Sequence, residues 1–243
     1  MRLGLIDEDG IVYSWNVTTS KTCTADEAYL QLTNMLETFA PGETFVDSII
    51  ASVVPPITSA WAKACERVSG RRGLIVGPGI KTGIKMTYAN AGDVGADRIA
   101  DFIAASATYG CPCVIVDLGT ATNIEVLDKD GAFCGGIIAP GLTVSANALS
   151  NSASKLPQID LKAPDSVLGR NTREAMQIGI MLGEVGRVDG LVNMVWDELG
   201  YKTHVVATGG AAEIIASRSK TIEQVDEELT LKGLALLYAK NRK

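Results

Sequence analysis

Val114-Ile115-Val116 runs into Asp117-Leu118-Gly119-Thr120-Ala121, a predicted strand that ends in a carboxylate and is followed at once by a Gly-Thr turn. Such a turn offers backbone N–H groups and a hydroxyl to a phosphate, and the aspartate can hold a cation against it. The same residues also satisfy the ends of an ordinary turn, and the pattern alone leaves both readings open. Asp97-Arg98 stands near a predicted helix start. An acid there favours the helix dipole. A carboxylate can also orient a hydroxyl and an arginine fork suits a carboxylate, but on these residues alone the dipole reading stands. Gly77-Pro78-Gly79-Ile80-Lys81-Thr82-Gly83 is glycine-rich, but its lysine precedes the last glycine, so it is not Gly-x-x-x-x-Gly-Lys-Ser/Thr. It reads as a conformationally demanding turn that shapes an acceptor pocket.

Other chemistries find little support. His204 is the single histidine, so neither a histidine-based triad nor a zinc site is available. The five cysteines, Cys23, Cys65, Cys111, Cys113 and Cys134, match no zinc module, and Cys111-Pro112-Cys113 is not a Cys-x-x-Cys pair. They read as scattered thiols of a reducing compartment, and the chain as cytoplasmic. The formal net charge of -6 argues against a broad nucleic-acid or anionic-membrane surface. No run approaches the ~18 apolar residues of a spanning helix.

The elements that must position these residues alternate between strand and helix. With 243 residues, 47% of them hydrophobic, the chain can bury a core without disulfides. Leu3–Ile6 and Ile11–Val17 read as a hairpin. Thr24-Ala25-Asp26-Glu27 has the form of a capping box for a helix with Ala25, Ala28, Tyr29, Leu32, Met35, Leu36 and Phe39 at helical spacing. Ser48–Val54 and Gly73–Val76 read as strands around a helix opened by Pro56, with Ile57, Ala60, Trp61, Ala64 and Val68 on its face. Helices are expected from about Gly95 to Tyr109, near Val144–Leu149, over Thr172–Leu199 with interruptions, and from Thr230, as cap, to Ala239. The fold class is α/β with mixed sheets flanked by helices, in two closely joined lobes, residues 1–110 and 111–243.

Ile6-Asp7-Glu8-Asp9-Gly10 and Leu127-Asp128-Lys129-Asp130-Gly131 are one hairpin turn in two copies, 121 positions apart. The repeat suggests a duplicated α/β unit, although so common a turn also arises by chance. The second copy is preceded by the strand and turn of Val114–Thr120, whose counterpart in the first copy would precede Met1.

Taken together, nine stretches resemble the type III pantothenate kinases. They are Thr24–Glu27, Ser52–Pro56, Gly77–Gly83, Gly95–Arg98, Asp117–Ala121, Gly135–Gly141, Lys155–Pro157, Gly169–Thr172 and Ala207–Gly210. The resemblance implies the duplicated nucleotide-binding fold of sugar kinases, actin and Hsp70. It implies ATP-dependent phosphorylation of pantothenate, the first step of coenzyme A synthesis, with Mg²⁺ and a monovalent cation, K⁺ or NH₄⁺, in a cytoplasmic homodimer. By the same resemblance Asp97 is the general base, Gly95, Ala96, Asp97 and Arg98 line pantothenate, and Tyr88 and Thr172 contact it. Asp117 holds the monovalent cation, Gly119 and Thr120 meet ATP phosphate, and Gly209-Gly210 lies against the nucleotide.

The family's first phosphate loop, a strand ending in Asp-x-Gly-Asn-Thr, has no counterpart in this sequence, whose Met1-Arg2-Leu3-Gly4 aligns just downstream of it. Two expectations follow: a start roughly a dozen residues upstream, or a shortened relative with a half-built nucleotide site. A non-catalytic binding protein and a kinase for another small hydroxy acid are the alternative functions. The dimer is expected to form through Gly95–Tyr109 and Thr172–Leu199, with Met176, Ile180, Leu191 and Trp196 as surplus apolar surface.

Overall fold

The computed structural model describes residues 1–153 and 155–242. Its elements in the first half are β1 (Arg2–Ile6), β2 (Ile11–Asn16), α1 (Ala25–Phe39), β3 (Ile49–Ile50), α2 (Pro55–Ser69), β4 (Leu74–Ile75) and α3 (Ala96–Tyr109). There follow β5 (Cys113–Leu118), β6 (Ala121–Leu127), β7 (Phe133–Pro140), α4 (Leu142–Ser152), α5 (Thr172–Leu199), β8 (His204–Thr208), α6 (Ala212–Ala216), β9 (Gln224–Val225) and α7 (Leu229–Asn241). The architecture is mixed α/β. Contacts divide the chain into two units, and α3 runs from one into the other. The first takes Met1–Gly83, Ala89–Ala104 and the chain from Leu229 onward; the second takes Ile84–Tyr88 and Ala105–Glu228. The continuous division at residue 110 expected from the sequence thus differs from the contact units chiefly in α7, which returns to the first.

In the first unit, β1 and β2 form an antiparallel hairpin, and β3 and β4 pair in parallel over two residues each. Inward residues alternate along β2, where Ile11, Tyr13 and Trp15 are half-buried and Val12, Ser14 and Asn16 exposed, as a pleated strand with one covered face requires. The α1 start is a full capping box: Thr24 Oγ1 accepts from Glu27 N–H at 3.2 Å, and Thr24 N–H donates to Glu27 Oε2 at 2.7 Å. The apolar faces of α1 and α2 meet in a core of Ala28, Leu32, Leu36, Ile57, Ala60, Trp61, Ala64 and Cys65. Phe39, expected on the same face, is exposed because it lies at the helix end, one residue before the chain turns at Ala40. Only Ile49–Ile50 of the strand expected over Ser48–Val54 is laddered, because its partner β4 is itself two residues long.

In the second unit, five strands form one sheet in the order β7-β6-β5-β8-β9. β5 is central, antiparallel to β6 and parallel to β8, and Cys113, Val114, Ile115, Val116 and Leu118 are buried in it. α5 is one unbroken helix of 28 residues, not the interrupted one expected from its glycines. Each internal glycine costs roughly 1 kcal/mol relative to alanine, but Met181, Val188 and Val192 pack on the sheet and offset this. Gly200, in the left-handed conformation with φ 76°, ends the helix. Ile180, Leu191 and Trp196 pack against the same core and Met176 is buried, so these four residues are not surplus surface.

Both hairpin turns are closed by their first aspartate, the second turn being one residue longer. Asp7 Oδ1 accepts from the N–H groups of Asp9 and Gly10 at 2.8 and 3.1 Å, and Asp128 Oδ1 from those of Asp130 and Ala132, each at 2.9 Å. The ladder is irregular between Leu5 and Ile6 in one hairpin and between Val126 and Leu127 in the other, again 121 positions apart.

Thr230, expected as a helix cap, lies inside α7, and its hydroxyl donates instead to the buried Asp101 carboxylate of α3 at 2.6 Å. Further along α7, Tyr238 donates to Asp47 Oδ2 at 3.1 Å, and Asn241 Nδ2 donates to the Lys81 carbonyl at 3.0 Å while its Oδ1 accepts from Lys81 N–H at 2.9 Å. α7 therefore anchors both α3 and the glycine-rich turn.

Candidate active site

The candidate residues fall into two groups, one in each unit. In the first unit, Gly95 leads into α3, whose opening residues Ala96, Asp97 and Arg98 are respectively buried, half-buried and buried. Asp97 Oδ1 accepts from Arg98 N–H at 2.9 Å, so the carboxylate is held over the positive end of the helix. A Cβ on Gly95 would stand 2.5 Å from Asp97 Oδ1. Only glycine leaves the carboxylate in place. Arg98, expected from the family resemblance to line pantothenate, is 6% exposed, so it is not a solvent-exposed surface group.

In the second unit, β5 delivers Asp117 to the sheet edge, opposite Asn123 on one side and Thr208 on the other. The turn that follows is tightly enclosed. Gly141 N–H donates to the Thr120 carbonyl at 3.1 Å, and a Cβ on Gly141 would lie 2.4 Å from the Gly119 carbonyl oxygen. On the other flank Gly209 has φ 92°, and a Cβ there would lie 2.6 Å from Asp117 Oδ1 and 2.7 Å from the Leu118 carbonyl. Asp117, Gly119, Thr120 and Gly209 are thus brought together, with Gly210 exposed beside them. Gly119 N–H donates to the Ala121 carbonyl at 3.0 Å, so it closes the turn and does not face outward as the sequence reading supposed. Thr120 is exposed at its tip.

The remaining candidates are less enclosed. Tyr88 is 37% exposed with its ring tilted on Phe133 at a centroid distance of 5.6 Å. Thr172 opens α5 behind the cap Asn171, whose side chain accepts from Glu174 N–H at 2.9 Å, and is exposed. Lys81 lies in a turn where Gly79 and Gly83 both have positive φ, as a demanding turn requires.

Among the described residues, no group of three His, Cys, Asp or Glu side chains is arranged to hold a metal ion. At the turn Asp117 supplies a carboxylate near the Leu118 and Ala121 carbonyl oxygens, oxygen donors of the type that suit a monovalent cation, or a Mg²⁺ retaining water and substrate oxygens, better than a divalent ion caged by protein. His204 is exposed and stands 3.1 Å from Glu223 Oε2. Burial, then the charges of Cys111 and Glu223, pushes the Cys113 thiol up to about 12, so this cysteine is inert at neutral pH.

The sequence reading missed a buried polar cluster behind the turn. Thr122 Oγ1 donates to Glu184 Oε1 at 2.6 Å, and Arg187 reaches both Glu184 Oε2 and, at 2.6 Å, the Pro140 carbonyl. The available signal was an acid and an arginine three positions apart within the otherwise uncharged Met181–Val188.

A model of the type III pantothenate kinase family matches residues 1–194. The chain is 44% identical to the type III pantothenate kinase of Geotalea uraniireducens over 241 residues, covering 99% of this chain and 94% of the relative. It is 42% identical to that of Brevibacillus brevis with the same coverage. Among solved structures, the ethanolamine utilization protein EutJ from Carboxydothermus hydrogenoformans matches with a TM-score of 0.51 at 17% identity, over 97% of this chain and 85% of that one. That likeness concerns the fold alone.

Proposed function

We propose that this chain, which belongs to the type III pantothenate kinase family, transfers the γ-phosphoryl group of ATP to the primary hydroxyl of pantothenate. The observation that carries the reading is the enclosed turn after β5, where Gly209 and Gly141 hold Asp117, Gly119 and Thr120 in one place. Phosphoryl transfer demands little covalent chemistry from protein, so fixed electrostatic positioning is what such a turn contributes.

In this reading residues 111–243, apart from α7, carry the nucleotide side, with the Thr120 hydroxyl and the Gly209-Gly210 backbone toward ATP. Residues 1–110 carry the acceptor side. Asp97 orients the pantothenate hydroxyl and accepts its proton late, as the oxygen bonds to phosphorus. Arg98 pairs with the pantothenate carboxylate beside Gly95 and Ala96, and Tyr88 and Thr172 are proposed as further pantothenate contacts. Asp117 would hold the K⁺ or NH₄⁺, and Mg²⁺ would be held largely by ATP and water. When bound, these ions neutralise charge on the transferring phosphate. The two aspartate-closed hairpins and their matching ladder irregularities support the duplicated nucleotide-binding fold. A cytoplasmic homodimer belongs to the same proposal. Its candidate apolar surface is Ile138, Val144, Leu149 and Met194, the exposed large residues of β7, α4 and α5.

The test is phosphorylation of pantothenate with saturating ATP, Mg²⁺ and K⁺, by the wild type, Asp97→Asn and Asp117→Asn. Asp97→Asn should lower kcat about a hundredfold or more. Asp117→Asn should chiefly weaken the dependence on K⁺. One observation favours a second reading, a relative that binds without turnover: no strand among the described residues bridges the two strand pairs of the first unit. A folded wild type that binds ATP and phosphorylates nothing would select it.

A further inference from the structure

The polar cluster behind the β5–β6 turn is built in a way that core packing does not require. Glu184 is 4% exposed and Thr122 2% exposed, so a carboxylate from the middle of α5 is spent inside the second unit. Burying a charge is costly unless it is paired and hydrogen-bonded, and apolar residues of similar volume pack at least as well. Both Glu184 oxygens are engaged, one by the Thr122 hydroxyl and one by Arg187. The same guanidinium nitrogen of Arg187 donates to the Pro140 carbonyl at 2.6 Å.

These partners share a location. Thr122 is the second residue of β6, opposite Leu118, and Pro140 is the last residue of β7, opposite Ala121. Pro140 is followed by Gly141, which bonds the Thr120 carbonyl and abuts the Gly119 oxygen. One helix therefore grips the strand that leaves the turn and the strand end that walls it. A carboxylate–guanidinium pair gives directional contacts that an apolar contact would not.

We infer that Glu184 and Arg187 are positioning residues for the Gly119–Thr120 turn, fixing it in the arrangement that receives the nucleotide phosphates. The inference rests on the phosphate role proposed for that turn. Neither side chain needs to touch ATP. Arg187 reaches both acceptors through one nitrogen, Nη2, held at the end of a rigid planar group, and a shorter, more strongly hydrated lysine ammonium would have to hold the same place without that support. Glu184 requires an acceptor toward Thr122 and a charge toward Arg187, so glutamine keeps half of its role.

The test uses the full chain with Glu184→Gln, Glu184→Ala and Arg187→Lys, reading three quantities. Hydrogen exchange of the segment around Asp117–Asn123 without nucleotide should accelerate in Glu184→Ala and Arg187→Lys, and by less in Glu184→Gln. Calorimetric affinity for ATP should fall about tenfold or more in the same order, and the KM for ATP should rise while the KM for pantothenate stays put. Glutamine and lysine nearly conserve volume, so these two variants report even where the alanine variant does not fold. Unchanged exchange at the turn and unchanged ATP affinity in folded Glu184→Gln and Arg187→Lys would overturn the inference. So would equal increases in both KM values, which a general loss of structure would produce. A wild type that binds ATP but does not phosphorylate pantothenate would overturn the substrate assignment and leave the positioning role readable from exchange and affinity.

Discussion

In the second unit β5 hydrogen-bonds to β6 on one side and to β8 on the other, so an antiparallel hairpin and a parallel pair share one five-stranded sheet. The first unit also has a hairpin, β1–β2, and a parallel pair, β3–β4, but no strand among the described residues bonds to both. The consequences run through burial. β6 is buried over Thr122–Leu127, whereas no residue of β1 is fully buried. The difference teaches what a central strand supplies besides ladder bonds. Both neighbours flank it along its length, and at its end Asp117 meets Gly209 and the start of β6. The first unit's buried residues come mainly from its helices, α1 and α2 packing on each other and α3 and α7 adding Phe102, Ile103, Leu231 and Leu237, and its candidate residues sit at a helix start.

The comparison can be broken most forcefully at Gly209. Gly209→Ala must meet the Asp117 carboxylate and the Leu118 backbone in a left-handed conformation, and should cost about 3 kcal/mol or more. Chemical denaturation and ATP titration of the variant would measure this; near-wild-type values for both would mean that the turn is not enclosed. Next in size is hydrogen exchange. Amides of β5 should exchange about a hundredfold more slowly than those of β1, since only β5 is laddered on both sides. Equal protection would show that the first unit's hairpin is braced more firmly than its pairing indicates.

A smaller effect sharpens the second unit's own account. Burial alone would raise the Asp189 carboxyl, but bonds from Ser219, Lys220 and Thr221 outweigh it and hold the group below its ordinary 3.8. A depressed folded value adds stability that is present above the unfolded value and fades as pH falls through the folded one. Asp189→Asn should therefore cost about 2 kcal/mol at pH 7. The gap should narrow below about pH 4, followed as thermal midpoints across pH. A gap constant with pH would show that the contribution is not ionic. Smallest is the capping box of α1, where Thr24→Ala should cost about 1 kcal/mol by denaturant midpoint. Because α1 supplies Ala28, Leu32 and Leu36 to the core it shares with α2, an effect near zero would show that this core forms without a fixed helix start.

Short-range features were legible in the sequence. The capping box, the two aspartate turns and the apolar faces of α1 and α2 depend on residues within a few positions of one another, and each is found as read apart from Phe39, exposed at the end of α1. The family motifs also located Asp97 and Asp117 at element ends. What escaped depends on distant approach. Gly141 and Gly209 close on one turn from separate strand ends, and Glu184 meets Thr122 across 62 positions. A glycine, an acid and a threonine carry no mark of such partners. Thr230 was misread for the same reason: its hydroxyl could cap its own helix, but a buried acid 129 positions earlier takes it instead.

α7 lies at the far end of the sequence yet bonds Asp47, Lys81 and Asp101. During synthesis the first unit emerges early and must then wait for the entire second unit before its last helix leaves the ribosome. Vectorial synthesis ordinarily lets a leading domain fold first. In this chain the order is reversed, with the later unit complete before the earlier one, and it is β1, β3 and α3, the elements α7 packs on and bonds, that must wait.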